Sequence, residues 1–142
     1  MERFRFLEKI AVADVAFEAF GRSLEELFES SALALFSAMV ELESVEAKAS
    51  EKVELESETA PDLLFDWLSE LVYLKDLKAA VYKDFSVSID QGERFKLVGI
   101  AKGEPIDAQR HKLKVDVKAV TYHLLEVRKK NGLWRAQVIL DI

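Results

Sequence analysis

The chain has 142 residues, of which 50% are hydrophobic and 32% are charged, a net charge of −6 and no cysteine. This length and apolar content suffice for one domain with a sizeable core. The lack of cysteine excludes disulfides, thiol catalysis and zinc–thiolate sites, and the negative charge argues against strong direct binding to nucleic acid. No apolar run approaches the about 18 residues of a membrane span. The N-terminus lacks a signal-peptide pattern, so a cytoplasmic protein without membrane contact is expected.

The first part of the sequence predicts two extended pieces followed by a helix. Residues 3–10 and 15–20 read as strands. Ser23, with Glu26 three positions later, has the pattern of a capping box, and the apolar spacing after it predicts a helix that ends near residue 40.

A charged, alternating stretch then precedes a second helix. Residues 45–57 predict one or two solvent-facing strands. Thr59 is the expected start of the helix, because Pro61 stands in its first turn and Asp62 lies three residues after the threonine. Seven residues give this helix a broad apolar face: Leu63, Leu64, Trp67, Leu68, Leu71, Val72 and Leu74.

The second half of the chain is predicted to be a run of strands. After a strand at residues 85–89, the next strand changes its alternation at Gly99, which predicts a bulge. Residues 112–128 predict a long strand, and four of its residues are expected to face the core: Leu113, Val115, Val117 and Ala119. Asn131-Gly132 predicts a hairpin turn, and the last strand places its core residues at even positions.

This order of elements predicts an α+β fold. We expect a single domain over residues 1–142, in which two helices pack on one face of a largely antiparallel sheet. No internal repeat, linker or low-complexity tract divides the chain. No nucleophile motif flanks either histidine, so the sequence assigns no catalytic residue.

A charged loop between the predicted strands is the first candidate site. Glu104, Asp107, Arg110 and His111 fall within eight residues, and Pro105 stiffens the backbone between them. The carboxylates and the imidazole suit acid–base chemistry or metal binding. A carboxylate that locks Arg110 in a structural salt bridge explains the same composition equally well.

Two aspartates at opposite ends of the chain form the second candidate. Asp14 stands among small apolar residues, where a charge is costly without a partner. Asp141 lies beside the terminal carboxylate of Ile142, so together these groups offer the oxygen ligands that a hard cation such as Ca²⁺ takes. On spacing alone, a turn cap at Asp14 and a frayed end at Asp141 are the favoured interpretation, because no local ligand motif is present.

The remaining aromatic and histidine residues read as structural. Trp67, Tyr73, Tyr82 and Tyr122 lie in apolar patterns and are predicted to belong to the core rather than to stack on bases. His123 is more typical of a hydrogen-bonded core or boundary residue than of a metal ligand.

Seven segments, in order along essentially the whole chain, together resemble the archease family. They are Ala13-Asp14-Val15, Gly21-Arg22-Ser23-Leu24-Glu25-Glu26-Leu27-Phe28, Asp66-Trp67-Leu68-Ser69-Glu70-Leu71, Gly103-Glu104-Pro105-Ile106-Asp107, Arg110-His111, Val117-Lys118-Ala119-Val120-Thr121-Tyr122-His123 and Val138-Ile139-Leu140-Asp141-Ile142. Their combination is specific, whereas any one of them alone is weak.

The resemblance implies a non-catalytic accessory role beside the GTP-dependent RNA ligase of tRNA splicing. Archeases help that ligase become guanylylated at its active-site histidine and turn over repeatedly, and they can broaden its nucleotide use. The family also holds a divalent ion on acids at the tip of the molecule. Here that role falls on Asp14, Asp141 and the Ile142 carboxylate, with Ca²⁺ expected and Mg²⁺ or Mn²⁺ as alternatives. The loop of residues 104–111 is then expected to contact the ligase or to brace the tip.

One departure from the family and two rival functions stay open. The family usually has His-Thr before Ala-Asp-Val, whereas Ala11-Val12 stand there in this chain. The first rival is a small metal-dependent phosphoesterase that uses Asp14 and Asp141 for metal and His111 as base. The second is a chaperone-like module that uses apolar helix faces.

Overall fold

The structure, a computed structural model, describes residues 2–8 and 14–142. Its two helices are α1 (Leu24–Met39) and α2 (Ala60–Lys78), and a 3₁₀ turn spans Leu42–Ser44. The strands in the described residues are β1 (Phe4–Leu7), β2 (Asp14–Gly21), β3 (Ala49–Ser57), β4 (Ala80–Gln91), β5 (Phe95–Pro105), β6 (Ala119–Val120), β7 (Glu126–Lys130) and β8 (Leu133–Asp141). The predicted α+β class and antiparallel pairing are confirmed.

The strands form two sheets around one core. One sheet has the order β1-β2-β8-β6, with β7 also paired to β8, and the other has the order β3-β5-β4. Each helix contacts strands of both sheets. The buried apolar residues of the helices and of both sheets join in a single cluster. The sequence suggested one sheet, whereas the strands form two.

Both helices begin where their capping residues predict. The Ser23 hydroxyl accepts the Glu26 N–H at 3.0 Å, and the Glu26 carboxylate accepts the Arg22 N–H at 3.0 Å. The Thr59 hydroxyl accepts the Asp62 N–H at 3.2 Å. The two hydroxyl groups thus satisfy donors that the first helical turn leaves free.

The Gly99 bulge prediction is wrong. Gly99 pairs in continuous register with Val53 on one side and Val87 on the other. A Cβ at Gly99 would lie 2.5 Å from the Trp67 ring, so the glycine makes room for that buried indole, whose N–H donates to the Phe28 carbonyl at 3.1 Å. The register shift in this sheet instead falls in β4, between Tyr82 and Asp84.

The predicted long strand at residues 112–128 is also wrong. We call residues 112–118 the crossing segment, because they run from the end of α1 to the edge strand β6. The Glu41 N–H donates to the Lys112 carbonyl at 2.9 Å, and the Lys114 N–H donates to the Met39 carbonyl at 2.8 Å. Because the end of α1 takes up these backbone groups, Leu113 and Val115 stay 46% and 39% exposed, whereas Val117 is buried.

The C-terminal hairpin is confirmed. Asn131 and Gly132 both have positive φ, at 53° and 78°, which is the conformation of a type I′ turn. Lys130 pairs with Leu133 across this turn. Alternate residues of β8 face the core as predicted, but Ile139 on the opposite face is buried as well.

The aromatic predictions divide into two groups. Trp67 and Tyr82 are buried, as predicted, whereas Tyr73 and Tyr122 are 55% and 56% exposed. Tyr122 stacks on Phe65 with ring centroids 3.9 Å apart. His123 lies exposed in the turn between β6 and β7 and is therefore neither a core nor a boundary residue. Within the described residues, no helix is long and apolar enough to cross a membrane.

We expect Gly99→Ala to destabilise the protein by about 1–3 kcal/mol, because the added methyl group overpacks the Trp67 ring. Urea unfolding measures this change. Gly92→Ala is the matched control, since its Cβ would meet only the Arg94 carbonyl at 3.9 Å. Equal stability of the two variants would contradict the account of Gly99.

Candidate metal site at the β2–β8 end

The pairing of β2 with β8 brings the two candidate aspartates together. The register runs without interruption from Gly21 opposite Trp134 to Asp14 opposite Asp141. Buried partners such as Phe17 and Val138 fix this register, because a slip by one residue would turn core side chains outward. Asp14 and Asp141, 127 positions apart in the sequence, are therefore cross-strand neighbours.

The electrostatics of this end are unfavourable in isolation. Side chains directly opposite in an antiparallel pair have Cβ atoms about 4.5–5.5 Å apart, and like charges there repel. Neither Asp14 nor Asp141 has an ion-pair partner within residues 2–8 and 14–142. A divalent cation between them would turn this repulsion into attraction.

The donors at this end suit a hard cation. The side chain of Ile142 packs against the core, which keeps the terminal carboxylate beside Asp141. Carboxylates offer oxygen ligands only, so a site formed here would suit Ca²⁺, Mg²⁺ or Mn²⁺ better than a metal that prefers thiolate or imidazole ligands. In the part of the chain that the structure describes, no group of three or more His, Cys, Asp or Glu side chains surrounds a common point, so an ion here would also need backbone or water oxygens. Ala11-Val12, where the chain departs from the family pattern, lie outside the described residues.

The loop carboxylate Glu104 belongs to a different, buried cluster at the end of β5. Its side chain is 2% exposed. The Arg110 guanidinium donates to both of its oxygens, one of them at 2.9 Å, and the Glu46 N–H donates to it at 2.6 Å. Arg110 holds the pKa of the Glu104 carboxyl well below its usual value; burial opposes this shift, and His111 and the Glu46 N–H add to it.

His111 completes this cluster and has no ring nitrogen free. Its Nδ1 accepts the Asp107 N–H at 2.9 Å. The proton is therefore on Nε2, which lies 2.8 Å from the Glu104 carboxylate and donates to it. The imidazole is fully buried, so it is not placed to act as a base on a bound substrate or as a metal ligand.

The structure therefore places the four loop residues in two environments. Glu104 and His111 are buried and tie β5 to the loop, whereas Asp107 and Arg110 are exposed. The structural salt bridge to Arg110, one of the two interpretations of the sequence, is present. Among the described residues, no hydrogen bond or ion pair links this cluster directly to Asp14 or Asp141; the crossing segment connects the two.

Two buried charged residues escaped the sequence analysis. Glu18 accepts hydrogen bonds from Arg5 and Arg135 on the outer face of the five-stranded sheet. Lys75 is 5% exposed in α2. A sequence signal for Lys75 exists, since it stands four residues after Leu71 and seven after Leu68, in line with the apolar face of the helix.

Comparison with known proteins places the whole chain in a known group. Residues 4–142 match the model of the Archease protein family. A protein named archease from Methanothermobacter thermautotrophicus is 41% identical, and one from Pyrococcus abyssi is 40% identical; each match covers 100% of both chains.

Solved structures agree with this result. The solution structure of Methanobacterium thermoautotrophicum protein 1598 is 40% identical, covers 100% of both chains and superposes with a TM-score of 0.88. A crystal structure from Thermotoga maritima, described as that of an archease, possible chaperone, is 24% identical over 93% of both chains with a TM-score of 0.59. The second likeness shows the fold alone.

We expect Glu104→Gln to lower stability most at neutral pH. Because the folded-state pKa of Glu104 is depressed, its contribution is complete above the unfolded pKa of about 4.3 and is lost as the pH falls toward the folded value. Urea unfolding at pH 7 and pH 3 should show the gap between wild type and variant narrow in acid. Glu54→Gln, on an exposed side chain that pairs with Lys52, is the control. A gap of constant size would contradict this account.

Proposed function

The chain belongs to the archease family, and we propose that it is an accessory protein that activates the GTP-dependent RNA ligase of tRNA splicing. In this role it promotes guanylylation of the ligase and its multiple turnover, and it catalyses no reaction itself. The observation that supports this proposal is the β2–β8 register, which sets Asp14 opposite Asp141 at one end of the molecule. Such a pair suits a protein that presents a metal to a partner.

The acidic end is the proposed working surface. Asp14, Asp141 and the Ile142 carboxylate would hold one divalent ion, with Ca²⁺ favoured and Mg²⁺ or Mn²⁺ also accommodated, because all the protein ligands are oxygens. When bound, such an ion supplies positive charge that helps to arrange a triphosphate for attack. The strands β2 and β8 hold the two side chains in place, so that little ordering remains to be done when the partner binds.

The loop cluster has a supporting role in this proposal. Glu104 and His111 are buried and therefore fix the start of the crossing segment rather than contact a partner. Asp107 and Arg110 are exposed next to them and are candidates for direct contact with the ligase. We place this complex in the cytoplasm, without a membrane and without strong direct binding of nucleic acid.

The phosphoesterase alternative loses its proposed base in this structure. His111 is buried, and both of its ring nitrogens are engaged within the loop cluster. Metal-dependent hydrolysis at Asp14 and Asp141 would have to proceed without it. Phosphoester turnover by the isolated protein, lost in Asp141→Asn, would favour this alternative over the accessory role.

A chaperone-like role is the second candidate, and exposed aromatic side chains favour it. Tyr73 and Tyr122 are each more than half exposed, and Phe65 stacks on Tyr122 beside β6. Exposed apolar surface of this kind is what binding to unfolded chains requires. Suppression of aggregation of unrelated proteins, reduced by Tyr73→Ser but indifferent to Asp14→Asn, would support this role.

We expect Asp141→Asn and Asp14→Asn each to abolish most of the stimulation of guanylylation of the cognate ligase by GTP. Removal of one carboxylate leaves too little negative charge to hold the ion, and metal affinity should fall at least about tenfold. Ligase–GMP formation measures the stimulation. Asp90→Asn, in β4 of the other sheet, is the control and should stimulate like wild type.

The outcomes of this assay separate the possible working surfaces. Stimulation by the wild type and by both aspartate variants would support the accessory role but contradict the role of a metal at the acidic end. The exposed residues Asp107 and Arg110 would then be the next to test. No stimulation by the wild type would refute the accessory role.

A further inference from the structure

Lys75 holds the crossing segment against α2. Its ammonium lies 2.5 Å from an Asp116 carboxylate oxygen, 3.1 Å from the Val117 carbonyl and 2.9 Å from the Asp76 carboxylate. The side chain of Lys75 is 5% exposed, whereas those of Asp116 and Asp76 are 75% and 63% exposed. The lysine thus joins the last turn of α2 to the crossing segment, which has little regular structure of its own.

This contact lies immediately before the backbone that flanks Asp141. The Lys118 N–H donates to the Asp141 carbonyl at 2.8 Å, and Ala119 is the cross-strand partner of Asp141. Asp141 is therefore paired on both sides, with Asp14 in β2 and with Ala119 in β6. Since β6 contains only Ala119 and Val120, its few ladder bonds need support from outside the sheet.

A lysine at this buried position is unfavourable unless its charge is paired. Burial of an ammonium costs free energy that an apolar side chain of the same length would not cost. Burial by itself lowers the pKa of Lys75, but the hydrogen bonds that the ammonium donates to Asp116 and Asp76 outweigh this and raise the pKa above its ordinary value. The ammonium therefore stays charged and keeps its three oxygen partners.

We infer that Lys75 is a positioning residue for the acidic end. Its hydrogen bonds to Asp116 and the Val117 carbonyl fix the position of Lys118 and Ala119 beside Asp141. This in turn fixes the Asp141 and Ile142 carboxylates relative to Asp14. The metal arm of this inference rests on the proposed function, but the positioning itself does not. Lys75 belongs to neither strand that carries the aspartates, so it acts on them through the crossing segment.

Hydrogen exchange of the metal-free protein tests the positioning directly. In Lys75→Met, which keeps the length and apolar stem of the side chain, the amides of Lys118 and Thr121 should exchange at least about tenfold faster, since their acceptors, the carbonyls of Asp141 and Ile139, lie in β8. The matched control is Lys78→Met, one turn later in α2, whose ammonium is 3.7 Å from Glu51 in the other sheet. Unchanged protection at both amides in Lys75→Met would overturn the inference.

Metal titration tests the consequence at the acidic end. With Mn²⁺ as the probe, Lys75→Met should weaken binding by roughly tenfold, at the lower end of the effect of outer-shell partners, and Lys78→Met should bind like wild type. A purely structural lysine would lower the melting temperature and leave Mn²⁺ affinity unchanged at temperatures where both variants are folded, which would contradict the inference.

A second variant keeps the test decisive if Lys75→Met does not fold. Asp116→Asn changes an exposed side chain and should shift protection of the Lys118 amide and Mn²⁺ affinity in the same direction, by a smaller factor. If wild type binds no Mn²⁺ at the acidic end, the proposed metal function fails, and the exchange result still decides whether Lys75 positions β6.

Discussion

The register of β2 against β8 is the constraint on which the rest of the structure depends. It seats the buried side chains of both strands against the helices, and the same alignment forces Asp14 and Asp141 to face each other at the end of the pair. A shift by one residue would lose the core and the acidic pair together. The packing that stabilises the fold therefore also keeps two acidic residues as cross-strand neighbours, which is unfavourable by itself.

The chain treats its buried and half-buried carboxylates in two contrasting ways. Glu104 and Glu18 are each surrounded by donors, from Arg110 and His111 in one case and from Arg5 and Arg135 in the other. Such compensation makes a carboxylate part of the structure. The acidic pair has no such cation in the described residues, although the chain supplies arginines elsewhere. Within those residues, the charge of this pair is not compensated as it is at Glu104 and Glu18.

Features set by local chemistry could be predicted from the sequence, and features set by distant contacts could not. The helix starts at Ser23 and Thr59 and the Asn131-Gly132 turn follow from residues within a few positions of each other. Apolar and charged residues do alternate over residues 112–118. However, the backbone there forms hydrogen bonds with the end of α1, and no local pattern reveals that distant contact. Likewise, Gly99 is required by the Trp67 ring, which leaves no room for a Cβ at that position.

For the candidate site, the residues alone could name Asp14 and Asp141 but could not bring them together. Their adjacency depends on a strand pairing between the two ends of the chain, and spacing alone favoured a structural interpretation of both. The resemblance to a family supplied the missing link, and the register of β2 and β8 is consistent with it. Lys75 was missed because a single cation in an apolar helix face gives no indication of what it holds.

The most direct test of the acidic end is NMR of the protein titrated with Mn²⁺, whose unpaired electrons broaden nearby amide signals. The first signals to disappear should be those of Asp14, Ala119, Asp141 and Ile142, and excess Ca²⁺ should restore them. Broadening centred instead on the exposed acids of β3 and β4, with the Asp141 signal unchanged, would contradict a metal site at the β2–β8 end.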